Sequence, residues 1–297
     1  EKSEKFHSLS SNFIVTLYKT SEGDILVGTW TGLYKYDKRN DNFVLMPYFN
    51  RQAQAIHEDE TGTLWVCSYG NGVYFYNAKT GLKGSFKYDP KNTNSLSNNY
   101  VNNLFEDSRK NIWFCTESGL CRYDYKEKKI IRSSAEPVLR DNHIFRVMED
   151  NRGMLWVSTS KGLINLNPVN GQTKSFNTGN GLLSDQFNYN SACKDEDGTM
   201  YFGTVKGMIG FNPAGFVENS FIPPVYITGI QVNNGELKID SLHSRLRQSV
   251  IYTSSITLPY DSSTISIDVS ALSYAMPDRT EYLYRMEGLD KTWNHLN

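Results

Sequence analysis

Five times along the chain, one short stretch runs into a polar turn and leaves it on a second stretch centred on a large side chain. The copies read LYKTSEGDILVGT (17–29), IHEDETGTLWVCS (56–68), LFEDSRKNIWFCT (104–116), VMEDNRGMLWVST (147–159) and ACKDEDGTMYFGT (192–204). They align without gaps on the column Leu26, Trp65, Trp113, Trp156 and Tyr201, at spacings of 39, 48, 43 and 45 residues. Four strands of about six residues and four turns of about five need about 44 residues. That is the length of one β-propeller blade.

The turns have a physical logic. Asp59, Asp150 and Asp195 stand three residues before Gly62, Gly153 and Gly198. Asp at the first position of a type I turn accepts bonds from backbone N–H groups, and Gly follows where the chain needs positive φ. Lys110 interrupts the Gly column and Thr20 the Asp column, so these two turns are expected to be less regular. A second turn ends at Gly32, Gly72, Gly119, Gly162 or Gly207, and a third strand follows (LYKYD, VYFYN, LCRYD, LINLN, MIGFN). Outer strands are expected around Phe43, Phe86, Ile130 and Phe176. Blades are thus placed near 11–46, 51–87, 98–132, 141–176 and 188–217, within a propeller region 1–222. The fifth has no clear outer strand, because NPAGFVENSFIPP runs into prolines. Residues 4–8 resemble an outer strand that either completes it or belongs to an upstream blade.

Pro223-Pro224 ends the rhythm, and 223–297 reads as a second domain. VYITGIQV and ELKI flank Asn234-Gly235, a hairpin signal, and TISIDVS (264–270) and EYLYRMEG (281–288) alternate as half-buried strands. Several short strands in this length suggest a partial immunoglobulin-like β-sandwich. The fold class is all-β: a portion of a β-propeller, then an incomplete sandwich.

Composition removes several functions. Net charge is −1, which supplies no basic field for nucleic acid. No apolar run approaches the roughly 20 residues of a membrane span, and no charged-then-apolar leader opens the chain. Cys67, Cys115, Cys121 and Cys193 form no C-x-x-C pair. They read as small buried hydrophobes, and a Cys115–Cys121 bridge would be strained. His7, His57, His143, His243 and His295 show no metal spacing. His57, beside the channel, reads as a satisfied core histidine, with a ligand role as the alternative. Asp59, Asp107, Asp150 and Asp195 read as turn acids. No catalytic residue, metal or cofactor is assigned. A propeller glycosidase, which would bring two or three carboxylates to the channel, is the main rival reading, and a scaffold for protein partners is another.

The pattern ED-x-x-G-x-LWV-x-T-x-x-GL resembles the regulator-propeller repeat of bacterial hybrid two-component sensors. ALSYAMPDRTEYLYRMEGLDKTW (271–293), with Tyr282, Tyr284 and Trp293, resembles the start of the three-tyrosine domain that follows those propellers. The resemblance implies a periplasmic oligosaccharide sensor of gut Bacteroidetes, dimeric and joined through a membrane helix outside this chain to a histidine kinase that controls polysaccharide-use genes. It also implies that the five blades are part of a larger, seven-bladed ring. The repeat is similar, too, to that of streptogramin lyases, whose His, Glu and metal constellation cannot be placed here.

In a blade of alternating strands the Gly-Leu turns share one face with the crossovers between blades. That face carries Trp30, Tyr69, Glu117, Lys161 and Lys206 in the turns, and Arg51, Tyr100, His143 and Tyr189 near the crossovers. Aromatic rings stack on sugar faces, and cations pair with sulfate or uronate. Trp30, Arg51, Tyr69, His143 and Tyr189 are the expected ligand-binding residues.

Overall fold

The computed structural model describes residues 9–133, 137–215, 224–237, 239, 246, 248–258, 264–272 and 282–296. The chain divides into two compact units, Glu1–Phe216 and Val217–Asn297. Strands in the first unit group as successive meanders. The first blade is β1 (Ile14–Lys19), β2 (Ile25–Thr29), β3 (Leu33–Asp37) and β4 (Asn42–Leu45); the second is β5 (Ala55–Glu58), β6 (Thr63–Ser68), β7 (Gly72–Asn77) and β8 (Lys83–Phe86). The third is β9 (Val101–Glu106), β10 (Ile112–Thr116), β11 (Gly119–Asp124) and β12 (Lys129–Arg132), and a helical turn, α1 (Pro137–Arg140), leads to the fourth. That blade is β13 (Ile144–Glu149), β14 (Leu155–Thr159), β15 (Gly162–Leu166) and β16 (Thr173–Phe176). The fifth has three strands among the described residues, β17 (Phe187–Lys194), β18 (Met200–Thr204) and β19 (Gly207–Phe211). Residues 4–8, expected to complete it or an upstream blade, lie outside the described residues. Successive blades meet through their first strands, β1 against β5, β5 against β9, β9 against β13 and β13 against β17. This is propeller architecture.

The gapless sequence alignment is the observed register. Leu17 pairs Val27, Ile56 pairs Val66, Leu104 pairs Phe114, Val147 pairs Val157 and Ala192 pairs Phe202. Trp65, Trp113 and Trp156 are 2–4% exposed. Each packs on the next blade: Trp65 on Leu104, Ile112 and Phe114, Trp113 on Val147, Leu155 and Val157, and Trp156 on Met200 and Phe202. Their indole N–H groups donate to the turn acids of their own blades, Trp65 to Asp59 at 2.8 Å, Trp113 to Asp107 at 2.9 Å and Trp156 to Asp150 at 3.1 Å. Tyr201 repeats the bond to Asp195 through its hydroxyl at 3.3 Å. The first blade has Thr20 and Leu26 at these positions, so donor and acceptor are missing together. One acid therefore closes its turn and orients the ring that joins two blades.

The two turns expected to be irregular keep the common geometry. Lys110 N–H bonds the Asp107 carbonyl at 2.9 Å, as Gly62 bonds Asp59, and Gly23 bonds Thr20 at 3.0 Å. Lys110 takes the left-handed conformation itself, at φ 69°, beside Gly62 at 77° and Gly153 at 75°. Its ammonium reaches Glu106 at 3.1 Å, and Thr20 Oγ1 accepts from Asp24 N in place of a carboxylate. Cys67, Cys115 and Cys121 are buried and free; Cys193 is free but exposed, contrary to the expectation of burial, because it faces the side of the fifth blade that no described blade covers. Among the described residues nothing covers the opposite side of the first blade: Leu17 is 68% exposed, where the equivalent Ile56, Leu104 and Val147 are 9% or less.

In the second unit β20 (Val225–Val232) pairs with β21 (Gly235–Glu236) and β22 (Ile265–Ala271). The hairpin turns on Asn233 and Asn234, at φ 48° and 63°, with Val232 opposite Gly235. This moves the expected Asn-Gly turn back one residue, because Asn233 also tolerates the left-handed region. A second pair, β23 (Tyr282–Tyr284) with β24 (Asn294–Leu296), is tied to the first sheet by the Tyr282 hydroxyl, which accepts from Ala271 N at 2.9 Å. Pro223 lies outside the described residues.

Candidate functional site

The innermost strands end at two mouths. At the Asp-turn mouth the last residues of β1, β5, β9, β13 and β17 are Lys19, Glu58, Glu106, Glu149 and Lys194. Their charges are largely spent on neighbouring blades. Glu58 accepts from Ser21 N at 2.7 Å, and Glu149 accepts from Ser108 N at 2.7 Å and Ser108 Oγ at 2.6 Å. Glu106 meets His57 at 2.5 Å and Lys110 at 3.1 Å, while Lys194 donates to the Glu149 carbonyl at 2.9 Å. A cavity of about 680 Å³ lies here, lined by Tyr18, His57, Glu58, Glu106, Lys110 and Glu149 among others. Its acids are latches between blades, and His57 is the satisfied histidine expected.

The Gly-turn mouth is built differently. In four of the turns the Thr hydroxyl at the end of the second strand donates to the Gly carbonyl three residues on, at 2.7 Å for Thr116 and Gly119. The two residues between Thr and Gly are therefore presented at the rim. Inner strands also bulge here. Asn102 of β9 and Phe145 of β13 are extra residues in their ladders, and β17 carries residues 188–191 opposite a single step of β18. Bulges re-aim side chains, and those of Asn102 and Tyr189 reach Glu117. Glu117 Oε1 accepts from Asn102 Nδ2 at 2.8 Å and from the Tyr189 hydroxyl at 3.0 Å, and Oε2 faces His143 Nδ1 at 2.7 Å. The carboxylate is largely buried, and three blade segments distant in sequence meet at it.

Around this hub, Tyr69 and Tyr100 stand edge to face with ring centres 4.7 Å apart, and Tyr189 leans on Phe145 at 4.6 Å. Burial, followed by the hydrogen bond to Glu117 and its charge, pushes the Tyr189 phenol up to about 12. Burial and then the Glu117 charge also raise Tyr69. Beneath lies a polar floor. Arg146 Nη1 donates to Asn103 Oδ1 at 2.8 Å, and Asn103 Nδ2 donates to Asn190 Oδ1. Asn190 sits at φ 52°, a region Asn tolerates. Asn102 Oδ1 and Arg146 Nε are buried with no partner among the described residues, which is costly unless a further group meets them.

Of the five residues expected to bind ligand, Tyr69, His143 and Tyr189 gather around Glu117. Trp30 instead stacks on Phe13 at 5.1 Å. Arg51 reaches Asn71, in the Tyr69 turn, at 3.4 Å. Asn102, Asn103, Arg146 and Asn190 escaped the sequence reading; the signal was polar residues inside otherwise apolar inner strands. Among the described residues no group of three or more His, Cys, Asp or Glu side chains could hold a metal.

Comparison with known proteins identifies the repeat. The family "two component regulator propeller" matches residues 8–31, 95–118 and 138–161. Those three segments match the repeat of that family. "Histidine kinase P4" of Formosa agariphila is 26% identical over 301 residues, which is 98% of this chain and 18% of the kinase. The extracellular domain of a hybrid two-component system from B. thetaiotaomicron superposes with a TM-score of 0.63 at 20% identity, over 97% of this chain and 45% of that one. A second such domain gives 0.53 at 20% identity, over 100% and 46%. Virginiamycin B lyase from Staphylococcus aureus gives 0.51 at 11% identity, over 68% and 67%. The chain thus spans less than half the length of the two-component relatives it matches. Among the described residues no helix is long and apolar enough to cross a membrane.

Proposed function

We propose that this chain is part of the extracytoplasmic, periplasmic sensor region of a hybrid two-component histidine kinase, and that it binds an oligosaccharide at the Gly-turn mouth without transforming it. The observation that carries the reading is the Glu117 cluster. Three partly exposed tyrosines surround a fixed acceptor on the Gly-turn rim, a combination suited to sugar rings and hydroxyls. The repeat family and the two-component relatives support the sensor role. Signalling would pass through a homodimer to a kinase that controls genes for polysaccharide use.

The test is titration calorimetry of the purified protein against plant, fungal and host oligosaccharides, followed by the same titration with Tyr69→Ala and Tyr100→Ala. Binding by the native protein, with a loss of about tenfold or more in each variant, is the expected result. Shortened or unsaturated products released during incubation would transfer the assignment to a glycosidase or lyase.

A further inference from the structure

We infer that the Gly-turn mouth admits an uncharged, hydroxyl-rich glycan end, and that Glu117 excludes uronate and sulfate from the seat formed by Tyr69, Tyr100 and Tyr189. This rests on the oligosaccharide reading above and adds the charge class of the ligand.

The Glu117 carboxylate accepts from Asn102 and Tyr189 on one oxygen and faces the His143 ring with the other, so part of the roughly four acceptor positions a carboxylate offers is already taken. A remaining position can take a donor. A sugar hydroxyl supplies a donor and brings no charge. A uronate or sulfate brings only acceptors and a second negative charge to a place where a charge is already fixed and poorly solvated. Like charges in such a setting oppose binding far more strongly than they do in water.

The neighbouring phenols report the same field. Besides burial, the Glu117 charge makes both Tyr69 and Tyr189 harder to ionise, so a new anion placed between these rings would feel it too. The tyrosines also offer what an uncharged sugar needs. The Tyr69 and Tyr100 rings are partly exposed, and their hydroxyls carry no bond within the described residues. Of the basic groups on this face, Arg146 lies in the floor, turned to Asn103, His143 is already turned to the Glu117 carboxylate, Arg51 is exposed and turned to Asn71, and Lys161 and Lys206 stand in water on neighbouring turns, where charge pairs are worth little.

The experiment compares matched oligosaccharides that differ in charge at one position, such as galactan and galacturonan oligomers or xylan oligomers with and without glucuronate. The neutral member of at least one pair is expected to bind the native protein about tenfold or more tightly than its acidic partner. Raising NaCl from 20 to 500 mM should increase the relative affinity of the acidic member, because salt screens repulsion. Glu117→Gln, of the same shape, should narrow the gap at least about fivefold. An acidic member that binds as well as the neutral one, or whose affinity falls with salt, overturns the inference and leaves the oligosaccharide reading standing. Failure of every glycan to bind overturns both. Should Glu117→Gln misfold, the sign of the salt effect on the native protein still decides.

Discussion

The bond between the Trp113 indole and Asp107 can be taken apart by mutation. Trp113 is buried against Leu139, Val147, Leu155 and Val157, and its Nε1 stands 2.9 Å from Asp107 Oδ2. Trp113→Phe keeps most of the packing and removes the donor. A hydrogen bond to a charged group is worth about 1.5–3 kcal/mol, and the smaller ring leaves a void that adds to this, so about 2–4 kcal/mol is expected. Trp113→Ala, a large core deletion, should cost about 3–5 kcal/mol or more. Asp107→Asn sets an amide donor against the indole donor, whereas in the Phe background that conflict is absent. The two substitutions should therefore couple by about 1 kcal/mol or more. Urea denaturation followed by far-UV dichroism measures all four corners of the cycle. A coupling below about 0.3 kcal/mol, within the additivity of independent sites, would refute the idea that one acid serves both turn and indole.

Other outcomes follow from single positions. Lys110→Gly and Lys110→Ala both lose the ion pair with Glu106, so their difference isolates the backbone; Gly should be more stable by about 1–2 kcal/mol in urea melts, and equality would contradict the left-handed geometry. Leu17→Ala should cost less than about 1 kcal/mol, while Leu104→Ala, its equivalent one side chain from Trp65, should cost about 2–5 kcal/mol. Burial works to raise Asp59, but bonds from Thr61, Trp65 and Thr63 outweigh it and hold the carboxyl below its usual 3.8. A depressed folded value means stability that is present above the unfolded value and lost as pH falls through the folded one. Acid melts below about pH 4 should therefore steepen through Asp59, and Asp59→Asn, though less stable at pH 7, should flatten that limb. Absorbance titration at 295 nm, taken as the difference between native protein and Tyr189→Phe, should place Tyr189 near 12; Glu117→Gln should lower that midpoint, and an unchanged midpoint would deny the bond.

What the sequence disclosed was whatever a local rule controls. Turn acid, turn glycine and central tryptophan recur because each blade repeats the same hairpin against the same neighbour, and their register of ten residues between paired core positions held in all five blades. Lys110 misled, because a glycine column suggests that only glycine can stand there, yet a single left-handed lysine anchored on Glu106 preserves every bond of the turn. The Asn233-Asn234 turn misled by one residue for a similar reason, since two asparagines compete with Asn-Gly for the same left-handed pair. The Glu117 cluster was half legible. Tyr69, His143 and Tyr189 stood out as unusual residues on the rim where the cluster forms. That Tyr189 reaches Glu117 across 72 residues depends on bulges in β9, β13 and β17, and no spacing rule locates an extra residue in a ladder whose neighbours are apolar on both sides.

The contrast between the mouths bears on where function lies. At the Asp-turn mouth the strand-end position is occupied only by Lys or Glu, and the three glutamates each have a protein partner. At the Gly-turn mouth the residue after the strand-end hydroxyl is Trp30, Tyr69, Glu117, Ser160 or Val205. Five unlike side chains occupy one geometric position, on turns that in four blades share the same Thr-to-Gly bond. A constant frame with varied display is how rigid scaffolds carry binding residues. The frame is held from the other end, by tryptophans and strand-end acids that tie each blade to the next. Substitutions at the Asp-turn mouth should therefore be felt first as lost stability, and substitutions at the Gly-turn mouth as lost recognition with the melting temperature little changed.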